Sequence, residues 1–532
     1  MDETRKVFGI DLGTTYSCVA QVDEYDRAVV LRNLEGNSTT PSVVYFCSDN
    51  KVIVGDPAKE ESKMNPNDTV AFIKREISND EAFEPPTKFP QGLTPIEISA
   101  YILKKIVADA NAAGQYPEPI KRVVITCPAY FGEKERMRTK QAGEAAGLDV
   151  LSIINEPTAA AIAYGQNTKG QKTVLVYDLG GGTFDVTLIK VDGGTITVVA
   201  TDGNACLGGY NWDKRLAEYL LEKYNQATGK SLEMKEGTAL FNEMMIIAET
   251  QKKRLSAREN SDAVITINGE GESAKVELSR ADFDKMTKFL LDETIEKMHD
   301  VLNVGKEKGF DKIDEVLLVG GSSRMPQVKQ RVTAELNIEA KLTDPDECVA
   351  KGAAILALNM SVEQGEIDYV TGESDVKPKE LGAGTRINAV NVTSKNYGLG
   401  IIGGVQNMIL ANTPLDGNCR KEDDGFSVSK GAAEKHSMVF PIYESECNEI
   451  KKLYDPEMGV LLEEHRMPLP TDIQEGAGVK VVFEIDAEGI LHVHGEVTGV
   501  LDPIDFEIKL KGVMNTEELN AAKVLLASTK VE

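Results

Sequence analysis

Two copies of one short pattern constrain the fold of this chain more than any other feature of its sequence. Residues 9–15 read GIDLGTT, and residues 177–183 read YDLGGGT. Both segments follow a run of β-forming residues, and both place an aspartate at the end of the strand with glycines behind it. Such self-similarity predicts two related subdomains that face each other across a cleft.

The residue types in the two segments suit a clamp for phosphate groups. Glycines allow backbone N–H groups to approach an anion closely, and threonine hydroxyls add further donors. An aspartate would repel a phosphate, so it more plausibly holds a divalent cation such as Mg²⁺ through water. A single loop of this kind is usually an ordinary tight turn. The two copies, together with a third glycine-rich loop at residues 320–324, favour a nucleoside triphosphate site.

The pattern of the remaining chain predicts an α/β region followed by a β-rich one. Segments 123–126, 174–177 and 316–319 are continuous apolar runs, as expected for strands covered on both faces, and amphipathic helices lie between them. Polar, glycine-rich residues at 364–386 are typical of a linker.

The last part of the chain predicts a β-hairpin and one terminal helix. Apolar residues alternate at 479–485, a turn follows at 486–489, and a strand returns at 490–493. Asn515 and Glu518 form a capping pattern for a helix over 515–528.

Size and charge exclude several classes of protein. With 532 residues the chain is too long for one hydrophobic core, so two or more domains are expected. Lysine and arginine number 59 against 85 acidic residues, and the net charge of −26 argues against a nucleic-acid partner. We expect no signal segment and no membrane association, because no run approaches the roughly 18 apolar residues needed to span a bilayer. Seven cysteines without a C-x-x-C pair favour the reducing cytoplasm.

Several longer motifs resemble those of the heat-shock protein 70 (Hsp70) family. They correspond to its two phosphate loops, its adenosine motif and two further signatures, and they read DLGTTYS at 11–17, DLGGGTFDV at 178–186, LVGGSSRMP at 318–326, NEPTAAA at 155–161 and PAYF at 128–131. The likeness is close over residues 6–360 and looser over 398–512.

This resemblance implies an actin-like (ribonuclease H-like) duplicated α/β ATPase domain followed by a β-sandwich that binds peptides. The implied boundaries are an ATPase domain of two lobes at 1–362, a linker at 363–394, a β-sandwich at 395–512 and a short terminal helix at 513–532. We expect this helix to be the remnant of the long helical lid that the family carries, which is otherwise lacking.

The resemblance also implies roles for individual residues around ATP or ADP, Mg²⁺ and K⁺. Lys74 corresponds to the lysine that positions the attacking water, and Asp11 and Asp178 correspond to the carboxylates that organise Mg²⁺ through water. Glu156 and Asp185 correspond to acidic groups that orient water or accept a proton. The implied hydroxyl and backbone donors to phosphate are Gly13, Thr14, Thr15, Tyr16, Gly180, Gly181, Gly182 and Thr183. The implied adenosine contacts are Glu249, Lys252, Lys253, Ser256, Gly320, Gly321, Ser322, Arg324 and Asp346.

Two further sets of residues follow from the family pattern. Pro128 and Arg136 correspond to a relay that carries the nucleotide state toward the linker, although a turn proline and a surface arginine would look the same in the sequence. In the β-sandwich, Ile402, Phe426 and Met438 align with the peptide-binding channel, or are ordinary core residues. The segment around Ile402 is two residues shorter than the usual pattern.

Three positions depart from the family pattern where partners and coupling are concerned. Asn388 interrupts the aliphatic linker, and Asn391 replaces its aspartate. Ser152 stands where an arginine usually meets J-domain co-chaperones. The resemblance itself implies unfolded or extended polypeptide clients, a J-domain co-chaperone and a nucleotide exchange factor as partners. Because of these departures, we expect only weak stimulation by a J-domain protein.

The leading hypothesis is a chaperone that binds unfolded or extended polypeptide and is gated by ATP binding and slow hydrolysis. One alternative is a small-molecule kinase of the same duplicated fold, which the C-terminal β domain disfavours. Another is a holdase or exchange factor with little turnover, which the altered linker favours and the intact phosphate motifs disfavour.

Overall fold

The computed structural model describes residues 7–532 with twelve short segments left out. The segments are 48–49, 81–92, 114–118, 166–169, 193–194, 268, 364–387, 391, 416–418, 446–452, 486–489 and 509–512. The predicted linker at 364–386, Asn391 and the predicted turn at 486–489 therefore lie outside the described residues, and so does Cys447.

The first lobe, lobe I, is built on a sheet in the order β3-β2-β1-β8-β9, with β4 paired to β2. Its strands are β1 (Val7–Asp11), β2 (Tyr16–Val22), β3 (Ala28–Leu31), β4 (Thr40–Pro41), β5 (Val43–Phe46), β6 (Lys51–Val54), β7 (Thr69–Ala71), β8 (Arg122–Cys127) and β9 (Asp149–Asn155). Its helices are α1 (Asp56–Glu61), α2 (Pro95–Ala112), α3 (Glu133–Ala145) and α4 (Glu156–Gly165).

Local sequence explains where the helices of lobe I begin. Thr94 and Glu97 form a capping box at the start of α2, which satisfies backbone N–H groups that have no partner inside the helix. Ile98, Ile102 and Ile106 recur every four residues and are all buried against the sheet, as their spacing predicts.

The second lobe, lobe II, repeats the arrangement of the first. Its strands are β10 (Gln171–Leu179), β11 (Phe184–Asp192), β12 (Thr195–Asn204), β13 (Asn260–Thr266), β14 (Ser273–Ser279), β15 (Glu315–Val319) and β16 (Ala340–Leu342). Its helices are α5 (Gly209–Thr228), α6 (Ala239–Ala257), α7 (Arg280–Glu307), α8 (Pro326–Leu336) and α9 (Cys348–Glu363). A further strand, β17 (Asn388–Val390), completes its main sheet in the order β16-β15-β10-β11-β12-β17.

The pairing of the strands confirms the predicted duplication. In lobe I, β1 is antiparallel to β2 and parallel to β8. In lobe II, β10 is antiparallel to β11 and parallel to β15 in the same way. Each repeat of the sequence pattern therefore ends the first strand of its own sheet.

The two lobes meet through helices α4 and α9, which pack closely together in a shared apolar cluster. A Cβ atom added at Gly352 of α9 would lie 1.7 Å from the carbonyl oxygen of Ala159 in α4. Only glycine allows these two backbones to come so close, and this contact fixes the base of the cleft between the lobes.

The third region is a β-sandwich. One sheet has the order β19-β18-β21-β22 and the other β20-β23-β24-β25. The strands are β18 (Asn396–Ile401), β19 (Gly404–Ile409), β20 (Arg420–Ser427), β21 (Ser437–Ser445), β22 (Gly459–Pro468), β23 (Gly478–Ile485), β24 (Leu491–Val497) and β25 (Ile504–Glu507), with the short helix α10 (Lys430–Glu434) after β20. Val479, Val481, Phe483 and Ile485 are all buried in its core, as their alternation predicts.

The end of the chain returns to lobe I. Helix α11 (Thr516–Ser528) is capped by Asn515 and Glu518, and it buries Ala522 and Leu526 in the apolar core of lobe I. Strand β26 (Lys530–Val531) pairs in parallel with β6, giving a second lobe I sheet in the order β26-β6-β5-β7. Among the helices that the structure describes, none combines the length and apolar character that crossing a membrane requires.

Candidate nucleotide site between the lobes

A cavity of about 770 Å³ lies between the two lobes, and the three predicted glycine-rich loops open onto it. Of the residues predicted to bind nucleotide or act in hydrolysis, only Gly182 and Asp185 do not line it. The others are Asp11, Gly13, Thr14, Thr15, Tyr16, Lys74, Glu156, Asp178, Gly180, Gly181, Thr183, Glu249, Lys252, Lys253, Ser256, Gly320, Gly321, Ser322, Arg324 and Asp346.

The two phosphate loops interlock across the cleft. A Cβ atom at Gly181 would lie 2.1 Å from the hydroxyl oxygen of Thr15, and one at Gly182 would lie 2.2 Å from the methyl group of Thr14. The glycines of lobe II are therefore required by the threonines of lobe I, which explains why the two copies of the pattern differ at these positions.

Lys74 is held at the wall of the cavity by two acceptors of its own lobe. Its Nζ donates to the carbonyl oxygen of Leu12 at 2.5 Å and forms an ion pair with Glu156, and both side chains are buried. Burial alone would lower the pKa of Lys74, but Glu156 and Asp11 outweigh it and the pKa is raised. The ammonium group therefore stays charged and faces a space sized for a nucleotide.

Four carboxylates lie close together near this lysine: those of Glu156, Asp178 and Asp185 are buried, and that of Asp11 is half-buried. Burial and then Glu156 raise the pKa of Asp11 to about 7, and the same two causes raise the pKa of Asp178 well above its usual range. Asp185 also has a raised pKa through burial and Glu156. These carboxylates oppose one another's ionisation, and a cation placed among them would relieve that repulsion.

The donor set suits Mg²⁺ held largely through water. Asp11 and Asp178 both line the cavity beside the phosphate loops. Within the described ranges, no three His, Cys, Asp or Glu side chains converge closely enough to hold an ion by themselves. Mg²⁺ typically keeps several waters and takes one or two carboxylates together with substrate phosphates, which matches this arrangement.

Asp185, predicted to orient water or accept a proton, does not line the cavity. It lies behind the cavity wall, where its Oδ1 accepts the backbone N–H of Ala129 at 3.0 Å. The carboxylate thus holds the segment that follows Pro128. Its place in the structure connects the phosphate region to that segment.

The predicted adenosine end of the cavity contains two charged pairs. Arg324 donates from Nε to the Asp346 carboxylate at 3.1 Å, and from Nη2 at 2.5 Å. Lys252 is buried and bound to Asp213 at 2.7 Å, so a residue predicted to contact adenosine already has a carboxylate partner. Burial raises the pKa of Asp213 to about 6, despite the opposing effect of Lys252.

A cross-lobe cluster closes over the outer end of the cavity, and Lys59 is the member that the sequence did not predict. Lys59 of α1 forms an ion pair with Glu249 of α6, and Lys253 of α6 pairs with the same carboxylate at 2.8 Å. Both ammonium groups also donate to the hydroxyl of Tyr16, at 3.2 and 3.1 Å. Lys253, predicted to contact adenosine, thus stands over the ring of Tyr16. We call Lys59, Glu249, Lys253 and Tyr16 the interlobe latch.

The relay residues lie outside the cavity. Arg136 donates to the side-chain oxygen of Asn155 and, at 2.9 Å, to the carbonyl oxygen of Ile153. Ser394, the last residue of the predicted linker and two residues before β18 of the sandwich, donates to the carbonyl oxygen of Phe131 at 2.9 Å. The segment that begins at Pro128 therefore touches Asp185 at one end and the entry to the β-sandwich at the other.

The three predicted peptide-binding residues do not share one environment. Ile402 lies in the two-residue turn between β18 and β19, and 81% of it is exposed. Phe426 and Met438 are half-buried and pack against the core of the sandwich.

Comparisons with known proteins find relatives along almost the whole chain. A family model described as Hsp70 protein matches residues 7–524. The chain is 34% identical to the chaperone protein DnaK of Thermosipho melanesiensis, over 99% of this chain and 83% of that protein. It is 36% identical to the chaperone protein DnaK of Thermotoga neapolitana, over 93% of this chain and 78% of that one.

Proposed function

Since the chain belongs to the Hsp70 family of ATP-dependent molecular chaperones, which bind nucleotide with Mg²⁺, we propose that the cavity between its lobes is where it hydrolyses ATP. Lys74 and Glu156 lie at the reacting end of this cavity in the proposal. The observation that carries the proposal is the buried ion pair of Lys74 and Glu156 on the cavity wall. Lys74 stabilises negative charge on the transferring phosphoryl group, and Glu156 fixes the position of Lys74.

The phosphate loops supply the remaining contacts to the nucleotide. Thr14, Thr15 and Thr183 present hydroxyl donors, and the glycines allow the phosphate chain to approach the backbone. Asp11 and Asp178 would hold Mg²⁺, and the ion would supply neutralisation of the phosphate charge. The outer residues of the cavity, including Ser256 and Arg324, bind adenosine.

We assign the domains accordingly: residues 1–362 form the ATPase domain, 363–394 the linker and 395–512 the peptide-binding sandwich. A signal passes between them through the segment after Pro128, which Asp185 holds at the ATP side and Ser394 contacts at the sandwich side. A second link is β17, which pairs with β12 of lobe II in parallel. Both links support nucleotide gating of peptide binding.

Turnover and peptide release measured on the same samples test this function. We expect wild type to hydrolyse ATP slowly and to release a fluorescent peptide, followed by polarisation, when ATP is added. Lys74→Ala should lose turnover by about a hundredfold or more, because a preorganised charge at the transition state is removed, while it still binds ADP. Equal turnover in the two proteins would refute the assignment of Lys74.

The clients of the chaperone are unfolded or extended polypeptides, and we propose that Ile402, Phe426 and Met438 contact them. With Ser152 in place of the expected arginine, stimulation by a standard J-domain protein should be weak. Turnover with and without such a protein decides this, and strong stimulation would contradict it. A nucleotide exchange factor should act by opening the interlobe latch.

Two further assignments rest on chemistry alone. K⁺ would lie among the carboxylates and phosphates of the same cavity, and turnover in KCl against NaCl tests it. A reducing cytoplasm suits the buried thiols of Cys18, Cys127 and Cys348 and the exposed thiol of Cys206.

A further inference from the structure

Arg75 follows Lys74 directly in the chain, yet its side chain binds the opposite lobe. It lies in the short 3₁₀ helix Ile73–Glu76 of lobe I, which begins after Phe72, a residue in the left-handed conformation with φ 60°. Lys74 binds Leu12 and Glu156 within lobe I. Arg75 instead donates from Nε to the carbonyl oxygen of Gly182 in lobe II at 2.9 Å, and its Nη2 reaches the same oxygen.

The guanidinium of Arg75 is fixed by two more groups of lobe II. Its Nη2 donates to the side-chain oxygen of Asn211 at 3.1 Å, and its central carbon lies 4.9 Å from the centre of the Tyr210 ring. Phe72 packs edge-on against the same ring, with centroids 4.7 Å apart. Phe72 and Arg75 therefore dock together on the start of α5.

The carbonyl that Arg75 holds completes a pattern in the second phosphate loop. The Gly180 carbonyl oxygen accepts the N–H of Gly209 at 3.0 Å, and that of Gly181 accepts the N–H of Tyr210 at 2.7 Å. Both donors belong to lobe II and are present whatever the position of lobe I. The third carbonyl, of Gly182, is held by Arg75 across the cleft.

The orientation of that third peptide matters for the reaction. In a trans peptide the C=O and N–H groups point in opposite directions, so fixing the Gly182 carbonyl also fixes the Thr183 N–H. Thr183 lines the cavity, whereas Gly182 does not. Glycine allows many backbone conformations, so the Gly182–Thr183 peptide could rotate if no donor held the Gly182 carbonyl oxygen.

We infer that Arg75 is a positioning residue for hydrolysis. When the lobes close, it orients the Gly182–Thr183 peptide, so that the second phosphate loop adopts its working geometry. Lys74, its neighbour in the chain, is brought into place by the same movement. The inference rests on the proposed role of Lys74. Arg75 touches neither nucleotide nor water in this scheme, because it acts through the Gly182 carbonyl from behind the cavity wall.

Single-turnover hydrolysis and ADP affinity measured on Arg75→Met, Arg75→Lys and Lys74→Ala test the inference. We expect Arg75→Met to lower the rate constant for hydrolysis by about tenfold to a hundredfold, the size of a positioning effect. Affinity for ADP should change by less than about threefold, because the contacts to adenosine are untouched. Arg75→Lys should recover part of the rate, since one ammonium group can reach Gly182 but cannot also bind Asn211.

Arg32→Met is the matched control. Arg32 also donates to a glycine carbonyl, that of Gly36 at 2.6 Å, but on an exposed turn of lobe I, so its loss should leave the rate unchanged. The inference would be overturned if Arg75→Met hydrolysed ATP at the wild-type rate. It would also be overturned if the rate constant and the affinity for ADP fell by the same factor. If both Lys74→Ala and Arg75→Met keep full turnover, the proposed role of Lys74 fails. If Arg75→Met keeps full turnover and Lys74→Ala loses it, only the inference about Arg75 fails. Should Arg75→Met not fold, Arg75→Lys against Arg32→Lys carries the same comparison.

Discussion

The side chain of Gln141 and the backbone of Met514 hold each other through two hydrogen bonds. Gln141 Nε2 donates to the Met514 carbonyl oxygen at 2.6 Å, and the Met514 N–H donates to Gln141 Oε1 at 2.8 Å. This pair ties the end of the β-sandwich region to α3 of lobe I. From there α11 and β26 run along the ATPase domain, so the sandwich lies between two attachments to it.

The first prediction concerns the attachment of α11. Leu526 is buried in the core of lobe I, whereas Val524 on the same helix is 70% exposed. Leu526→Ala should lower the free energy of local opening by about 2–4 kcal/mol, the usual cost of removing a buried leucine. The readout is hydrogen exchange at the Val54 amide, which donates to the Glu532 carbonyl oxygen at 2.8 Å in the β6–β26 pairing.

Val524→Ala is the control and should leave exchange at Val54 unchanged. Wild type should protect this amide with either ATP or ADP bound, because α11 packs on α2 and α3 in the core of lobe I. Rapid exchange at Val54 in the ADP state would show instead that the segment detaches during the cycle.

The second prediction concerns the interlobe latch. Lys59→Met removes the lobe I ammonium group that pairs with Glu249, so ADP should leave about two- to fivefold faster, the range expected for one partly exposed ion pair. The Tyr16 hydroxyl, which donates to Glu249 Oε1 at 3.1 Å, still links the two lobes in this variant. Stopped-flow release of a fluorescent ADP measures this rate. Lys63→Met is the control, because Lys63 pairs with Glu60 of its own helix region inside lobe I; faster release in both variants would contradict the latch.

The latch also has a defined pH dependence. Burial would raise the pKa of Glu249, but Lys59 and Lys253 outweigh it and lower the pKa to about 2. A carboxylate with a depressed pKa stabilises the folded state above its ordinary pKa and loses that contribution as the pH falls toward the depressed value. The ratio of release rates between Lys59→Met and wild type should therefore stay constant from about pH 8 to pH 5.

Much of the fold and site could be predicted because the signals are local in sequence. The strand–aspartate–glycine pattern names Asp11 and Asp178 directly, and alternation places β23. The cross-lobe partners could not be predicted, since Lys59 and Glu249 are 190 residues apart and Arg75 and Gly182 are 107 apart. A lone lysine or arginine on a short helix has the same sequence signature whether it meets solvent or another lobe.

The third prediction uses the close contact of α4 and α9. Gly352→Ala places a Cβ against the backbone of Ala159, which cannot move as a side chain would, so it should destabilise the ATPase domain by about 1–3 kcal/mol or more. Gly431→Ala in α10 is the matched control, because nothing lies within 4 Å of its Cβ position. That substitution should stabilise by about 0.5–1 kcal/mol through helix propensity. Unfolding midpoints that shift in the same direction for both variants would refute the packing argument.

The last prediction concerns Asn412, which joins the sandwich to lobe II. The N–H of Thr201 donates to Asn412 Oδ1 at 2.8 Å, and Lys308 Nζ donates to the Asn412 carbonyl oxygen at 2.8 Å. Asn412 has φ 64°, a left-handed conformation that asparagine tolerates better than alanine does. Asn412→Ala therefore loses an acceptor and adds backbone strain, whereas Asn412→Gly loses only the acceptor.

We expect both variants to weaken docking of the sandwich by about 1–3 kcal/mol, because the Thr201 N–H loses its acceptor. Asn412→Ala should weaken it by about 1 kcal/mol more than Asn412→Gly, because alanine is strained in the left-handed conformation. Small-angle scattering with ATP bound should show a larger radius of gyration for both variants, because the sandwich moves away from lobe II. Asn337, with φ 52° at the end of α8, gives the matched pair Asn337→Ala and Asn337→Gly, which should differ in stability but not in shape. A compact Asn412→Ala protein whose ATP turnover still responds to peptide would show that this contact does not hold the two domains together.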